Sequence, residues 1–250
     1  DERMINAADG MLKQLSDIEI AGRFIMAAAH RRNTVDPLRY LLSAVSWSCS
    51  IVPLAETDEV SQRVLQWVRS SKPSQKVCGL LKICPRNRSD EFHAKHSACL
   101  NTTYLLHGTK AANMLSILHG GLVATPANAL ECGQAYGKGV YFADVFDKSA
   151  GYCGPSDSAL NYMFVCKVAI GRLLDSNEPW NEKSKFDTLA VYGQRYPDPS
   201  SSITIDGACM PLGPLVRGQR GVSRAWWDWS EFIVKDHSRI LTSYIIIFKN

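Results

Sequence analysis

The stretch GKGVYFAD at residues 137–144 does most to decide the fold, because two glycines lead straight into a short apolar run. Such a run, preceded by turn residues, is typical of a buried β-strand, and it carries Tyr141. Working outward, His107 ends an earlier apolar run, and Glu231 lies in a later one on the same strand face as Ile233. A carboxylate on an apolar face is costly unless it is paired. The three residues suit a site that holds a planar ring and a ribose.

Short apolar runs dominate the chain after residue 75 and predict β-strands. Helices are predicted only at 111–119, which ends at Gly120-Gly121, and at 146–152. Many strands with few helices favour an α+β domain built on mainly antiparallel sheets. The predicted strands lie at 80–84, 104–106, 140–143, 162–170, 189–192, 203–205, 232–234 and 240–248.

The first part of the chain has a different pattern. Apolar residues recur at roughly helical spacing between residues 11 and 20 and again between 60 and 68, which predicts helices over about 1–72. The stretch SKPS at 71–74 is typical of a linker. The chain opens with Asp1 rather than Met, and we expect it to be part of a longer protein.

The composition indicates a folded, mildly basic chain. Apolar residues make up 46% of its 250 residues, and the net charge is +4 with a pI of about 8.6. There is no run of Lys and Arg, so we expect no direct DNA binding. The sequence also contains no apolar stretch that is long enough to predict a membrane helix. The eight cysteines stand singly without a CxxC pair, which is typical of reduced intracellular thiols.

Two common phosphate-binding fingerprints do not fit the glycines around residue 137. Gly137-Lys138-Gly139 has no third glycine at the Rossmann spacing. Gly133 stands one residue too close to Gly137-Lys138 for a Walker loop, and Gly139 replaces its Ser or Thr. If the chain binds a dinucleotide, it does so by another route.

Several separated motifs together resemble the catalytic domain of the poly(ADP-ribose) polymerases, and in particular its DNA-damage-responsive branch. The resemblance runs in order over about residues 76–250. A weaker resemblance to the end of that branch's helical regulatory domain covers 17–21, 36–37 and 59–70. The motifs are HGT at 107–109, GKGVYFAD at 137–144, KSA at 148–150, YC at 152–153, PDPS at 197–200, IDG at 205–207 and PLG at 211–213.

The resemblance implies an architecture. Residues 76–250 would form an ADP-ribosyltransferase catalytic domain of two mainly antiparallel sheets. Residues 1–75 would be a partial helical regulatory segment. Because that segment is short, we expect it not to block entry of NAD, and we expect activity without a DNA trigger.

The resemblance also implies a nicotinamide pocket. Gly108 lacks a Cβ, so its backbone N–H and C=O can approach a carboxamide closely and bond to it. Ser149 would bond to the same carboxamide, and Tyr152, three residues further along a predicted helix, would stack on the ring. Tyr141 would close the pocket from another side. Benzamide-like compounds that mimic nicotinamide should therefore inhibit.

The remaining site residues would hold the rest of NAD and carry the chemistry. His107 would hold the adenosine ribose, with Thr109 and Asn113 as further contacts, and Lys148 would touch the acceptor or the pyrophosphate. Glu231 would stabilise positive charge on the ribose as the bond to nicotinamide breaks. His107, Tyr141 and Glu231 form the predicted catalytic set.

The function implied is transfer of ADP-ribose from NAD, as substrate, to protein acceptors that include the chain itself. Extension into poly(ADP-ribose) is expected, since Glu231 is present. A transferase limited to one unit is the alternative, and a catalytically silent NAD- or partner-binding module is a second one. The resemblance implies a nuclear location and a role in DNA repair.

Two further groups of residues allow a metal-binding or partner-binding interpretation. His93, His96 and Cys99, with Cys84 nearby, offer zinc-ligand chemistry, but no cysteine pair anchors them, and no metal site is predicted. The tryptophans at 226, 227 and 229 either pack a loop against the sheet or form an exposed platform for a partner.

Overall fold

The computed structural model describes Gly22, Met26 and residues 49–124, 135–154, 160–177, 185–218, 220–221 and 228–249. Within the described residues from 49 onward, α-helices run over Glu59–Ser71 (α1), Arg86–His96 (α2), Met114–Gly120 (α3) and Phe146–Ala150 (α4). Single 3₁₀ turns lie at Ala111–Asn113, Pro199–Ser201 and His237–Arg239. The strands are β1 Cys49–Leu54, β2 Lys76–Pro85, β3 Thr102–Gly108, β4 Val140–Phe142, β5 Asn161–Ala169, β6 Leu173–Asp175, β7 Thr188–Val191, β8 Arg195–Pro197, β9 Ile203–Ile205, β10 Ala208–Met210, β11 Leu215–Arg217, β12 Glu231–Val234 and β13 Ile240–Lys249.

The strands form two main sheets and one small ribbon. The larger sheet has seven strands in the order β1-β2-β13-β5-β3-β10-β9, and its neighbours are antiparallel except β3 and β10. The smaller sheet has four strands in the order β4-β12-β7-β6, of which β6 and β7 are parallel. Strands β8 and β11 pair as a ribbon. The expected α+β fold with two mainly antiparallel sheets is confirmed.

Alternation of side chains explains why the central strands are apolar on both faces. In β5, Phe164 and Cys166 belong to a core shared with Phe142 and Phe232 of the smaller sheet. The intervening Val165 belongs to a second core. Each face of β5 therefore packs on its own layer, and every residue of the strand except two is apolar.

Helices α1 and α4 cover the other face of the larger sheet. Trp67 and Val68 of α1 and Phe146 of α4 are almost fully buried in the second core. Helix α1 begins at Asp58, whose carboxylate accepts a hydrogen bond from the backbone N–H of Val60 at 2.9 Å. The amphipathic pattern of α1 thus has a partner, and the helix brings its Trp67 close to the end of β4.

The sequence-based prediction was wrong at two elements. Cys49–Leu54 is a strand paired antiparallel with β2 at the edge of the larger sheet, although a helix was predicted there. Helix α2 was missed because it has no apolar stripe and buries only Phe92. The prediction for residues 1–48 lies outside the described residues except at Gly22 and Met26, which are helical. The domain boundary near residue 75 stays a prediction.

The two predicted helices that flank the site are present but divided or shortened. Residues 111–119 form a 3₁₀ turn followed by α3, and α3 ends where Gly121 adopts a φ of 73°. That positive φ suits glycine, which has no Cβ to clash. Helix α4 ends at Ala150, so Tyr152 lies in the turn that follows it.

Candidate active site

The two sheets meet where β3 and β4 end. The backbones of Leu106 and Ala143 exchange two hydrogen bonds of 2.8 and 3.0 Å. This bridge places His107, the next residue of β3, beside the strand that carries Tyr141. Two motifs far apart in the chain are therefore joined by main-chain bonds rather than by side chains alone.

His107 is fixed in one tautomer by this junction. Its Nδ1 lies 2.8 Å from the backbone oxygen of Tyr141, and since a carbonyl can only accept, Nδ1–H donates. The ring packs edge-on against Phe142 at 5.6 Å between centroids. Removal from water lowers the pKa of His107 below its ordinary value, so the imidazole is neutral and Nε2 is an acceptor. A neutral Nε2 suits a sugar hydroxyl that donates a hydrogen bond.

Gly108 sits where no side chain fits. A Cβ at this position would lie 1.8 Å from the backbone oxygen of Ser149 and 3.2 Å from the Cβ of Tyr152. The backbone of β3 thus packs directly on the end of α4. Glycine is required here by the close approach of α4, and the residues around it are the two predicted ring-binding residues. Approach of a ligand to this backbone stays a prediction.

Ser149 and Tyr152 differ in exposure, as a hydrogen-bonding group and a stacking group would. Ser149 is buried, and its Oγ donates to the backbone oxygen of Leu106 at 3.0 Å. Tyr152 leaves 45% of its surface exposed. A large exposed aromatic beside a glycine backbone is available to stack on a planar ligand.

Glu231 is buried and paired. It opens β12 with 4% of its surface exposed, and its Oε1 lies 2.8 Å from Nζ of Lys148. The lysine side chain is itself only 11% exposed, and its Nζ lies 5.6 Å from the centroid of the Tyr152 ring. The pairing offsets the cost of burying a carboxylate, which the strand pattern alone left unexplained.

The hydroxyl of Tyr141 is held by the loop that precedes its strand. It donates to the backbone oxygen of Gly137 at 2.8 Å and accepts from the backbone N–H of Tyr136 at 3.0 Å. Burial raises the pKa of Tyr141 well above its ordinary value, and the nearby charge of Glu231 raises it further. The phenol therefore stays protonated and acts as a fixed wall of the site.

Thr109 and Asn113 follow Gly108 in the chain and contact each other. The amide Nδ2 of Asn113 donates to the Oγ1 of Thr109 at 3.1 Å, and Thr109 is buried. The 3₁₀ turn at Ala111–Asn113 brings the two together. Both are thereby placed next to His107 and Gly108, where the adenosine contacts were predicted.

The structure thus brings all the predicted site residues into one connected group. What the sequence did not reveal is that Lys148 pairs with Glu231, because the two lie far apart in the chain. It also missed Asp144, which is 2% exposed and pairs with Arg220 at 2.6 Å. The only sequence signal for Asp144 was a carboxylate directly after a buried strand.

The alternative zinc ligands have other partners. His93 Nδ1 lies 2.7 Å from the backbone oxygen of Ser89, and His96 Nε2 lies 3.2 Å from Ser238 Oγ. Among the described residues, no three His, Cys, Asp or Glu side chains are grouped as metal ligands. No helix in the same part of the chain is both long and apolar enough to cross a membrane.

The tryptophan stretch is described only at its end. Trp229 is half-buried, and its ring lies 5.5 Å from the guanidinium carbon of Arg195. The predictions for residues 226 and 227 lie outside the described residues. The cysteines that are described, including Cys153 beside the site, are free thiols.

The family model for the poly(ADP-ribose) polymerase catalytic domain matches residues 55–250. The chain is 36% identical over 252 residues to a poly(ADP-ribose) polymerase tankyrase of Caenorhabditis elegans, covering 95% of the chain and 11% of that relative. It is 29% identical over 255 residues to poly(ADP-ribose) polymerase 2 of Arabidopsis thaliana, covering 96% and 38%. It is 26% identical over 256 residues to poly(ADP-ribose) polymerase 1 of Gallus gallus, covering 98% and 25%. The chain therefore spans well under half the length of these relatives.

Proposed function

Because the chain belongs to the poly(ADP-ribose) polymerase catalytic domain family, and so is an NAD-dependent ADP-ribosyltransferase domain, we propose that it attaches ADP-ribose to protein acceptors, itself included, and extends the first unit into poly(ADP-ribose). NAD is the substrate that supplies the unit, and nicotinamide is released. Extension of the first unit into a polymer is proposed in addition to the transfer itself.

The observation that carries the proposal is the buried ion pair between Glu231 and Lys148. Burying a carboxylate that is only 4% exposed costs folding free energy unless a partner compensates for the lost water. Here the partner, Lys148, borders the predicted ring-binding site. The same helix supplies Lys148 and Ser149, and Gly108 packs against that helix. A buried charge pair is thus held next to the pocket predicted for the planar ring.

The predicted ring pocket fits nicotinamide chemically. A carboxamide has one acceptor and two donor hydrogens, which match the backbone N–H and C=O of Gly108 and the hydroxyl of Ser149. Tyr152 offers a face for the ring. These contacts would orient the leaving group so that its bond to the ribose points toward Glu231.

The reaction breaks the bond between the nicotinamide nitrogen and C1′ of the ribose. The electron pair of that bond returns to the ring, nicotinamide leaves as a neutral molecule, and C1′ gains oxocarbenium character. Glu231 would stabilise the positive charge that develops. The acceptor oxygen then forms the new bond to C1′, and its proton passes to Glu231 or to water.

Extension needs a ribose hydroxyl of the bound unit to act as the next acceptor. Glu231 can accept a hydrogen bond from that hydroxyl, and Lys148 carries a positive charge that attracts the pyrophosphate of the growing chain. The two groups would then exchange their mutual contact for contacts with the substrates. The ion pair of the free protein would be a resting arrangement.

The test is incubation of the chain with labelled NAD, followed by gel electrophoresis and mass spectrometry of the modified protein. We expect a ladder or smear from the wild type. Glu231→Gln keeps the shape but loses the charge, and we expect product formation to fall by about 10²- to 10³-fold, because one electrostatic contact to a transition state is typically worth that much.

Glu59→Gln is the matched control, because the Glu59 side chain is 77% exposed and its pair with Arg63 at 3.7 Å lies on the surface of α1. A single band of one added unit would favour the mono-transferase. Labelled NAD that binds without any transfer would favour the silent binding module. Polymer of unchanged length from Glu231→Gln would contradict the assignment of the glutamate.

We also propose membership of the DNA-damage-responsive branch and a nuclear location. The support is the resemblance of PDPS at 197–200, IDG at 205–207 and PLG at 211–213. The relatives matched include a tankyrase as well as polymerases 1 and 2. Fluorescence microscopy of the tagged protein before and after DNA damage would test both points, and a cytoplasmic signal that never changes would contradict them.

A further inference from the structure

One edge of the smaller sheet collects the ends of all four of its strands. Strands β4 and β7 are both antiparallel to β12, and β6 is parallel to β7. The C-terminal ends of β4, β7 and β6 therefore meet the first residue of β12 at the same edge. That first residue is Glu231. Contacts that fix the strand ends at this edge therefore also fix the backbone from which the Glu231 carboxylate extends.

Arg220 spans this edge. Its Nη1 lies 2.6 Å from Oδ2 of Asp144, two residues past the end of β4. Its guanidinium carbon lies 5.0 Å from the ring centroid of Tyr192, the residue that follows β7, and 5.6 Å from that of Tyr196 in β8. A planar guanidinium can make such a bond in its plane and stack on rings through its faces.

Gly221 fits the same edge tightly. A Cβ on this residue would lie 2.1 Å from Oδ2 of Asp175, the last residue of β6, and 2.4 Å from Cδ2 of Tyr192. The pair Arg220-Gly221 therefore contacts the ends of β4, β7 and β6 in turn. It does so across the start of β12, which lies between β4 and β7 in the sheet.

A further contact leads from Arg220 to the strand of Glu231. The Tyr192 ring, on which Arg220 stacks, packs edge-on against Phe232 at 6.0 Å between centroids. Phe232 directly follows Glu231. The guanidinium thus contacts β4 through Asp144 and β12 through Tyr192 and Phe232.

The Arg220 guanidinium favours the ionised form of the buried Asp144. The carboxylate is 2% exposed, and burial raises its pKa while the charge of Arg220 opposes the rise. Its backbone oxygen accepts a hydrogen bond from Nε1 of Trp67 at 2.8 Å. An unpaired charge at this depth would be strongly destabilising, so removing the guanidinium should disturb the end of β4 as well as the start of β12.

We propose that Arg220 is a positioning residue for Glu231: by joining Asp144 to Tyr192 across the edge of the smaller sheet, it fixes the carboxylate where the ribose must react. This inference rests on the proposed function and deepens it. Arg220 has no role in holding NAD in this account. Its loss should therefore lower kcat and leave the KM for NAD nearly unchanged.

The first experiment measures steady-state kinetics of Arg220→Gln and Arg220→Lys beside the wild type. We expect kcat to fall by about 10- to 100-fold in Arg220→Gln, since a displacement of about 1 Å at a catalytic group can cost that much. Arg220→Lys keeps the positive charge but lacks the planar guanidinium group, so its kcat should lie between those of Arg220→Gln and the wild type. Products of Arg220→Gln should also be shorter.

Arg217→Gln is the matched control. Arg217 lies in the same stretch of chain and also makes an ion pair, to Asp228 at 3.7 Å, but its side chain is 65% exposed and its Nη2 donates to Oε1 of Gln194 at 2.9 Å. We expect its kcat and KM to equal those of the wild type. Equal losses in both variants would indicate a general effect of lost charge and would overturn the proposal.

Hydrogen–deuterium exchange of the unliganded variants tests the positioning without any activity. Arg220→Gln should speed exchange at the start of β12 and the end of β4, and Arg217→Gln should not. Unchanged exchange in a folded Arg220→Gln would overturn the proposal. So would a raised KM with unchanged kcat, which would mean that Arg220 binds substrate directly. A wild type that does not consume NAD would contradict the proposed function. Faster exchange in Arg220→Gln would even then support the role of Arg220 in fixing the start of β12.

Discussion

At the scale of single residues, the motifs predict which residues form the site but not which side chains contact one another. The patterns around His107, Tyr141 and Glu231 are unusual for structural residues, whereas Gly108 and Ser149 could be singled out only through the resemblance of their motifs. Their contacts could not be derived, since these depend on long-range pairing. Lys148 beside the predicted catalytic carboxylate is the plainest case, because its position before Ser149 gave no indication of Glu231.

The close approach at Gly108 gives the first residue-scale prediction. Gly108→Ala places a Cβ 1.8 Å from the backbone oxygen of Ser149, so β3 or α4 must shift. We expect affinity for benzamide to fall by about tenfold or more, because the proposed pocket would bind a carboxamide through backbone groups whose position is lost. Calorimetric titration measures it. Gly79→Ala is the control in another strand, where the nearest atom is 4.0 Å away. Equal affinity in Gly108→Ala would contradict the pocket.

The neutral His107 gives a prediction about pH. Its pKa is lowered in the folded protein by removal from water, so the unfolded chain binds more protons once the pH falls below the ordinary value of 6.5. The stability contributed by the neutral imidazole is complete above that pH and decreases as the pH falls toward the folded pKa, by at most about 1.4 kcal/mol per pH unit for one proton. Urea unfolding between pH 7.5 and 5.5 measures it.

The matched variant for that measurement is His107→Asn, which cannot titrate. Its stability should fall less steeply over the same range, and His96, whose pKa is also lowered by burial, contributes equally to both proteins. Identical slopes would mean that the pKa of His107 is the same in the folded and unfolded states. That result would contradict the account in which burial keeps the imidazole neutral.

At the scale of elements, the sequence predicts the long buried strands best, and among the short strands it misses β10 although Ala208 and Met210 are buried. The apolar run of β5 and the long β13 were clear from their composition. Helix α2 has polar residues on every side, so no period marks it. Among the strands of three residues, β4 and β9 were predicted from their apolar residues, whereas β8 and β11 were not. The strand β1 alternates weakly and was assigned to the helical region that precedes it.

Helix α1 gives the element-scale prediction, because its Trp67 bonds to the backbone of Asp144 at 2.8 Å. Trp67→Phe keeps most of the buried ring but leaves that carbonyl without its donor. We expect a loss of about 1–3 kcal/mol in the free energy of unfolding, the usual cost of a buried group that loses its partner. Denaturant unfolding measures it.

Arg63→Gln on the same helix is the control for Trp67→Phe. Its side chain is 40% exposed and its ion pair with Glu59 is a surface pair, so the change should be within about 0.5 kcal/mol. If Trp67→Phe proved equally mild, α1 would not be tied to β4 through this bond. The account of Asp144 as a point where α1 and the smaller sheet meet would then be wrong.

At the scale of the whole molecule, the distribution of charge gives the last prediction, which concerns DNA. The net charge of the chain is only +4. Several of its cations are already held by carboxylates in the part of the chain that the structure describes: Arg172 and Arg239 by Asp187, Arg195 and Arg217 by Asp228, Arg220 by Asp144 and Lys148 by Glu231.

Strong binding to DNA without sequence preference requires several phosphates to be neutralised together, and each paired arginine would have to give up its carboxylate first. We therefore expect broken duplex DNA to change the rate of self-modification by this chain by less than about twofold, even at low salt, where such contacts are strongest. The rate is measured with labelled NAD, and binding by the anisotropy of a labelled duplex, each across a range of salt. A large rise in rate together with saturable, salt-sensitive binding would show that these ion pairs open to form a DNA surface. A rise in rate without binding at equilibrium would point instead to transient contacts that relieve an inhibitory segment of the chain.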